Sequence, residues 1–265
     1  MSDPTGGRRR LPLVLGSGGV VVVAIVAIAI GVNNASSPLP PVPSPTPTTP
    51  APTPSATPSP TPTPTAAPTI AFADCATTTF GPVLAPINPP ASVHTYSAAP
   101  AMTIDTGKLY QATIVTAKGD IVLCVQPNLA PNTVNMFVTL VRNHFYDGIP
   151  FHRVVAKFVI QGGDPQCIGN VPALPATPSG TCGGGGPGFQ FNDEPVHQQY
   201  VEGALAMANS GANTNGSQFF ICIADDSAQL TPSYNLFGKV ESGMSVALAI
   251  AQGDLMKSIT VREQT

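Results

Sequence analysis

Hydrophobic and polar positions divide the chain into segments of different character. Residues 11–32 are apolar and carry no charged side chain, whereas residues 33–69 alternate proline with threonine, serine and alanine. Residues 70–106 show little periodicity. From residue 107 onward, short apolar runs recur between turn-forming residues, and this pattern predicts a folded domain at 107–265.

The pattern within this domain is mainly that of β-strands. Residues 110–117 and 120–126 are two β-rich runs joined at Lys118 and Gly119, which predicts a hairpin. Further short apolar runs predict strands at 151–155, 158–161, 204–207, 219–224, 236–240 and 258–261. About eight strands indicate a closed barrel, because closure removes exposed sheet edges.

Two segments carry the spacing of an amphipathic helix. Pro131 suits a first helical turn, and apolar residues follow it at helical intervals: Val134, Phe137, Val138 and Val141. Residues 244–251 show the same spacing at Val246, Ala249 and Ile250. We therefore expect two α-helices, which would plug the ends of the barrel.

The N-terminal segment predicts a membrane anchor. Residues 11–32 are long enough to cross a hydrocarbon core of about 30 Å as a helix. Arg8, Arg9 and Arg10 precede this run, and basic flanks stay in the cytoplasm, so 1–10 are expected to be cytoplasmic and the rest extracytoplasmic. The alternative is a cleaved signal peptide and a secreted protein. The length of the apolar run and the lack of a clear small-x-small site favour the anchor.

The segments between anchor and domain predict a spacer. Residues 33–69 have a composition that cannot bury a core and favours polyproline II, so a disordered linker is expected there. Residues 70–106 are expected to lie on the surface of the domain as an irregular arm.

Composition excludes several classes of function. Charged residues make up only 9% of the chain and the formal net charge is -3, so no basic surface is available for nucleic acid. The five cysteines include no CxxC pair and no Cys/His cluster at zinc spacing. No P-loop lysine follows the glycine runs at 162–163 and 183–186, which are better explained as turns. We expect no nucleic-acid partner, no metal and no cofactor.

Four stretches of the domain resemble the sequence motifs of cyclophilins. They are FHRVV at 151–155, FVIQGGD at 158–164, MANSGANTNGSQFFI at 207–221 and LFGKV at 236–240. The resemblance covers the chain from Tyr110 to the C-terminus. It implies an eight-stranded antiparallel barrel capped by two helices, and the activity of a peptidyl-prolyl cis/trans isomerase.

Arg153 is the candidate catalytic residue. Prolyl isomerisation breaks no covalent bond, because the amide rotates over a barrier of roughly 18 to 20 kcal/mol that resonance sets. A catalyst needs an apolar pocket for the proline ring and donors that favour the twisted amide over the planar one. An arginine is always charged and offers several N–H groups in a fixed fork. The resemblance to cyclophilins assigns this role to Arg153.

The same resemblance implies the residues that bind the substrate. The wall around the proline ring corresponds to Phe158, Val159, Phe220 and Leu230. The groups that hold the substrate main chain correspond to Gln161, Asn209 and Gln218, with the backbone of Ala208 and Asn209. The edge of the groove corresponds to His152 and Tyr234. Phe219 is expected in the core.

Proline-containing polypeptides are the expected partners, and the N-terminal helix is expected to bind the membrane. Gln229 falls near the position of a tryptophan tied to cyclosporin binding, and the chain has no tryptophan, so weak cyclosporin binding is expected. The main alternative is a non-catalytic chaperone or tether that captures proline-containing segments in the same groove. A structural protein that spans the cell wall is a third possibility, and it rests on the linker alone.

The cysteines predict two disulfide bonds outside the cell. Cys167 and Cys182 bracket an extra loop rich in proline, serine and glycine, and a bridge between them would stabilise the fold by about 3 kcal/mol. Strand alternation places Cys124 on the outer face of its strand, where it could bond to Cys75 of the arm. Cys222 would then remain as a buried thiol.

Overall fold

A computed structural model of the protein describes residues 68–87, 94–170 and 182–265. These ranges contain nine strands: β1 (Phe80–Val83), β2 (Tyr110–Thr116), β3 (Gly119–Val125), β4 (Phe151–Val154), β5 (Val159–Gly162), β6 (Ala204–Met207), β7 (Phe219–Cys222), β8 (Leu236–Ser242) and β9 (Ser258–Gln264). They also contain two α-helices, α1 (Pro131–Arg142) and α2 (Met244–Ala249), and two 3-10 turns, Cys75–Thr77 and Pro165–Cys167.

The predicted anchor at 11–32 lies outside the described residues, as do 1–10 and the predicted linker up to residue 67. Within the ranges that the structure describes, no helix combines the length and the apolar character needed to cross a bilayer.

The strands join one sheet in the order β1-β9-β2-β3-β8-β6-β7-β5-β4. All the strand pairs in this sheet are antiparallel. The predicted hairpin is confirmed, because β2 and β3 pair from Tyr110 opposite Val125 to Thr116 opposite Gly119. Gly119 has a φ of 124°, a backbone conformation that residues with a side chain rarely adopt. The predicted mainly antiparallel fold with two helices is therefore confirmed.

The prediction of a closed eight-stranded barrel is wrong in two respects. The sheet of the described residues has nine strands, and its end strands β1 and β4 do not pair with each other. Next to β4, the chain ahead of β9 approaches through an isolated bridge between Pro150 and Leu255 and through single hydrogen bonds, such as Gly148 N–H to Met256 O at 2.7 Å. The edge of β9 that β2 leaves open is occupied by β1, so β4 does not join β9 in a regular ladder.

The main core lies between α1 and one face of the sheet. The predicted apolar stripe of α1 is buried there: Val134, Phe137, Val138 and Val141. The ring of Phe137 lies 5.5 Å from that of Tyr146, 5.7 Å from that of Phe219 and 5.3 Å from that of Phe237. These contacts fix the helix on the sheet, since aromatic pairs at this separation add to the free energy of burial.

A second cluster of buried side chains, here named the outer cluster, lies on the opposite face of the sheet. It consists of Leu129, Val159, Tyr200, Ala204, Ala206, Phe220, Cys222 and Leu236. Alternation along β7 separates the two groups, because Phe219 and Ile221 enter the main core whereas Phe220 and Cys222 enter the outer cluster. The expected burial of Phe219 in the core is confirmed.

The segment expected to be an irregular arm contains a strand. β1 adds to the edge of β9, with Phe80 opposite Gln264 and Val83 opposite Arg262. The sequence of β1 has no apolar alternation, so the pattern predicts no strand there. An edge strand tolerates proline, as at Pro82, because one side of its backbone has no partner strand.

The residues just before β1 are fixed against the end of β3. The side chain of Gln126 accepts from Ala73 N–H at 2.7 Å and donates to Ala71 O at 3.1 Å. Farther back, Ile70 N–H donates to His197 O at 3.2 Å. The arm is therefore bound to the domain by backbone and side-chain hydrogen bonds.

Two disulfide bonds connect four of the cysteines. Cys75 is bonded to Cys124 with a Cα–Cα distance of 5.6 Å, and Cys167 is bonded to Cys182 with a Cα–Cα distance of 4.5 Å. Cys222 is a free, buried thiol, and burial raises its pKa well above the ordinary value. Both predicted disulfides and the buried thiol are confirmed.

Candidate active site

Arg153 lies on β4 directly across from Gln161 on β5. Its Nη1 donates to the Oε1 of Gln161 at 3.3 Å. Its Cζ lies 5.7 Å from the ring centroid of Phe158, a distance at which a cation is attracted to an aromatic face. The side chain is half-buried, so the guanidinium is held in position and still reaches the surface.

The amide of Gln161 continues a chain of hydrogen bonds away from the arginine. Its Nε2 donates to the Oε1 of Gln218 at 3.0 Å. The Nε2 of Gln218 in turn donates to Gly183 O at 3.1 Å and to Gly185 O at 2.8 Å. The structure thus brings together three residues that the motifs predict for one groove, and it connects them to the glycine run at 183–186.

The predicted apolar wall borders the outer cluster. Val159 and Phe220 belong to this cluster, and three half-buried side chains pack against it: Phe158, Leu230 and Tyr234. The ring of Phe220 meets that of Tyr234 edge to face at 5.5 Å. The wall combines rigid rings with two aliphatic side chains, which suits a compact, apolar proline ring.

Tyr200 supports this wall, and the sequence does not single it out. Its Oη donates to Tyr234 O at 2.7 Å and accepts from Tyr234 N–H at 3.0 Å. Burial raises the pKa of Tyr200, so the hydroxyl keeps its proton and can do both. Tyr200 precedes β6 and lies outside any periodic segment, so the pattern of the chain carries no signal for its role.

Ala208 and Asn209 also border the groove. Ala208 N–H donates to Gln218 O at 2.9 Å, and its side chain packs against the outer cluster. The side-chain amide of Asn209 donates to Ser233 O at 2.9 Å, and its Oδ1 accepts from Gly211 N–H at 3.3 Å. The side chain of Asn209 therefore shapes the loops around the groove.

His152 differs from the expectation that it lines the edge of the groove. Only 4% of its surface is exposed. The register between β4 and β5 is irregular between Phe151 and Arg153, and this irregularity accounts for the burial of the residue between them. Burial lowers the pKa of His152 against the opposing attraction of Asp164, so the ring is neutral at physiological pH.

A cavity of about 600 Å³ adjoins the hydrogen-bonded amides of Gln161 and Gln218. It is bordered by four residues of the predicted site, Gln161, Ala208, Asn209 and Gln218. Its remaining border includes the glycine run at 183–186, which is predicted only to form turns. Across the described ranges, no group of three or more His, Cys, Asp or Glu side chains is arranged to hold a metal ion.

Asp164 is a further residue near the groove, and no role for it is predicted from the sequence. It ends the FVIQGGD motif, and its carboxylate is fully buried. It accepts from the backbone N–H groups of Gln166 at 2.8 Å, Gly183 at 2.6 Å and Gly185 at 2.9 Å. Its place in the motif is a signal for its importance, but its partners lie about twenty residues along the chain and cannot be identified from spacing.

Comparison with known proteins points to one family. The family model for cyclophilin type peptidyl-prolyl cis-trans isomerases matches residues 111–264. A peptidyl-prolyl cis-trans isomerase of Helicobacter pylori is 40% identical over 159 residues, which cover 58% of this chain and 88% of the relative. Peptidyl-prolyl cis-trans isomerase B of Streptomyces anulatus is 41% identical over 163 residues, which cover 53% of this chain and 82% of the relative.

The chain belongs to the family of cyclophilin-type peptidyl-prolyl cis-trans isomerases. The predicted resemblance and the predicted enzyme class are thereby confirmed. A solved structure of a cyclophilin type peptidyl-prolyl cis-trans isomerase from Cryptosporidium parvum is 28% identical and covers 58% of this chain and 97% of its own, with a TM-score of 0.49. A second structure of that protein, in the presence of the dipeptide Ala-Pro, has a TM-score of 0.48 at 28% identity and covers 57% of this chain and 98% of its own.

Proposed function

We propose that this isomerase accelerates the rotation of X-Pro bonds in proteins that fold outside the cytoplasmic membrane. The uncatalysed step takes tens of seconds or longer, which is slow enough to limit folding. The two disulfide bonds support an oxidising compartment. The basic residues at 8–10 ahead of the apolar run at 11–32 support an anchor in the membrane with the domain outside. Proline-containing polypeptides are the proposed substrates and partners.

In the proposed mechanism, the apolar wall holds the proline ring while the side-chain amides of the groove hold the peptide backbone. The wall consists of Phe158, Val159, Phe220 and Leu230, with Tyr234 at its edge. The amides of Gln161 and Gln218 and the backbone at 208–209 border the adjoining groove, where they could bind peptide N–H and C=O groups. One side of the X-Pro bond is then fixed, so rotation is confined to the other side.

Arg153 supplies the donor that favours the twisted amide. As the C–N bond rotates, resonance is lost and a lone pair localises on the prolyl nitrogen, which becomes a hydrogen-bond acceptor. The planar amide nitrogen offers no such lone pair, so a bond from the guanidinium forms only near the transition state. An interaction of this kind lowers the barrier without tightening the binding of the ground state.

The observation that carries the proposal is the position of Arg153. Its guanidinium lies 5.7 Å from the Phe158 ring of the proline wall and is bonded to the first amide of the groove. A charged donor is thus placed at the boundary between the apolar pocket and the polar groove, where a prolyl nitrogen would lie.

The test compares the wild type with Arg153→Ala and Arg153→Lys in the full chain purified in detergent. Isomerisation of an Ala-Pro tetrapeptide is followed by NMR exchange, and its dissociation constant is measured in the same samples. We expect both variants to lose about 100-fold or more in rate while affinity stays within a few-fold. A wild type that binds the peptide without accelerating its rotation would support the non-catalytic tether instead.

Weak cyclosporin binding is part of the proposal. The exposed Gln229, whose amide donates to Asp226 at 3.2 Å, occupies the region where the resemblance predicts a tryptophan contact. An amide side chain offers less apolar area than an indole, so affinity should fall. Nanomolar inhibition of the tetrapeptide assay by cyclosporin would contradict this expectation.

A further inference from the structure

The amides between Arg153 and the glycine run form a chain with one direction. Both N–H groups of the Gln218 amide are directed to the carbonyls of Gly183 and Gly185, so its oxygen faces Gln161. The amide nitrogen of Gln161 donates to that oxygen, so its own oxygen faces Arg153. Reversal of either amide would place N–H groups against N–H groups, which is unfavourable.

The far end of this chain is the buried carboxylate of Asp164. It accepts from the N–H groups of Gly183 and Gly185, and the carbonyls of the same two glycines accept from Gln218. A Cβ atom on Gly185 would collide with Asp164 Oδ1, so the loop can approach the carboxylate only as glycine. A carboxylate only accepts hydrogen bonds. It therefore fixes the donor-to-acceptor direction of the whole series of hydrogen bonds between Asp164 and Arg153.

The Cys167–Cys182 bond closes this arrangement. Cys182 directly precedes Gly183, and Cys167 ends the 3-10 turn Pro165–Cys167, in which the Gln166 N–H donates to the carboxylate of Asp164. Both cysteines are buried, with 0% and 1% of their surfaces exposed. The covalent bond therefore holds the glycine run next to the carboxylate.

We propose that Asp164, together with the Cys167–Cys182 bond, is a positioning element for Arg153. It acts through the glycine carbonyls and the amides of Gln218 and Gln161, and it ensures that an oxygen rather than an N–H group meets the guanidinium. The inference rests on the proposed catalytic role of Arg153. Loss of the element leaves the apolar wall intact, so it affects the rate more than the binding of the peptide.

The test uses two variants of the full chain, Asp164→Asn and the double variant Cys167→Ser/Cys182→Ser. Asparagine keeps the shape of the side chain but can accept through only one of its two terminal atoms. We expect the exchange rate at saturating Ala-Pro tetrapeptide to fall roughly tenfold to 100-fold in either variant, because small misplacements of a catalytic group are costly. The dissociation constant of the peptide should change less than threefold.

A matched control, Cys75→Ser/Cys124→Ser, removes the other disulfide bond. That bond lies outside the groove. The rate of this control should equal that of the wild type at temperatures where all variants are folded by circular dichroism. A readout specific to position is the NMR signal of the Arg153 Nε–Hε group, which should shift in both test variants and not in the control.

The outcomes separate this inference from the proposed function. If the wild type and Arg153→Ala rotate the peptide equally fast, the role of Arg153 fails and the inference fails with it. If Arg153→Ala is inactive while both test variants keep the full rate and the Arg153 signal, only the inference is overturned. If Asp164→Asn does not fold, the exchange rate and the Arg153 signal of Cys167→Ser/Cys182→Ser alone decide whether the inference holds.

Discussion

Two adjacent phenylalanines in β7 illustrate how single residues divide between stability and binding. Phe219 packs against Phe137 and Tyr146 in the main core, at ring distances of 5.7 Å and 5.5 Å. Phe220 points to the other face, where its ring contacts Tyr200 at 6.3 Å and Tyr234 at 5.5 Å. Because neighbouring side chains in a strand lie on opposite faces, one position separates a structural role from a proposed binding role.

Replacement of these two residues by alanine should therefore have different consequences. Phe219→Ala leaves a cavity among aromatic rings, and we expect the free energy of unfolding to fall by about 3 to 5 kcal/mol. Phe220→Ala should cost about 3 kcal/mol, at the lower end of the same range because its ring borders the groove, and should reduce kcat/KM for the tetrapeptide at least tenfold. Urea denaturation and the exchange assay measure the two effects. Equal losses of kcat/KM in folded samples would contradict the division.

His152 should make stability depend on pH. Burial lowers its pKa in the folded chain, so the unfolded chain takes up a proton first as the pH falls. Above the ordinary histidine pKa of about 6.5, His152 should not reduce the free energy of unfolding. Below that pH, the free energy of unfolding should decrease. His152→Phe should show a shallower decrease between pH 7 and pH 5 in urea titrations. If the free energy of unfolding falls equally with pH in the wild type and in His152→Phe, His152 is not the source of the pH dependence.

At the scale of elements, regular periodicity explains what the sequence predicts and what it does not. The stripe of α1 and the alternation in β2 and β3 are properties of neighbouring residues, so both are visible in the chain. β1 forms because the edge of β9 offers backbone partners, and its FGPV sequence carries no pattern of its own. The incomplete closure of the sheet depends in the same way on distant segments meeting.

The candidate site divides along the same line. Arg153, Gln161 and Gln218 lie within extended motifs, so resemblance identifies them as one group. Tyr200 and the contacts of Asp164 with the glycine run connect residues that are far apart or aperiodic. The buried position of His152 follows from an irregular register that no local pattern predicts.

The arm is the element whose attachment is easiest to test. The Cys75–Cys124 bond joins positions 49 residues apart, and in the chain-entropy model its removal costs about 4 kcal/mol. We expect Cys75→Ser/Cys124→Ser to lower the free energy of unfolding by about 4 kcal/mol and to leave kcat/KM unchanged. Denaturant titrations of the oxidised wild type and the variant provide the comparison. An unchanged midpoint would show that the hydrogen bonds of the arm are sufficient.

At the scale of the whole molecule, the prediction concerns where the domain lies. Residues 11–32 should remain in the mature protein as an anchor, with the isomerase domain outside. Mass spectrometry of protein isolated from membranes should therefore include peptides from this segment, and protease added to intact spheroplasts should digest the domain. A mature N-terminus beyond residue 32, found in the culture medium, would support secretion after cleavage instead.

The Cys75–Cys124 bond also determines how the domain would bear a mechanical load. Cys75 precedes β1, whereas Cys124 lies in β3, a strand paired on both sides. A pull applied from the N-terminal direction would pass through the covalent bond into the interior of the sheet and bypass β1. If the proposed anchor puts the chain under tension, β1 would therefore carry none of the load, and the sheet that supports the groove should keep its geometry.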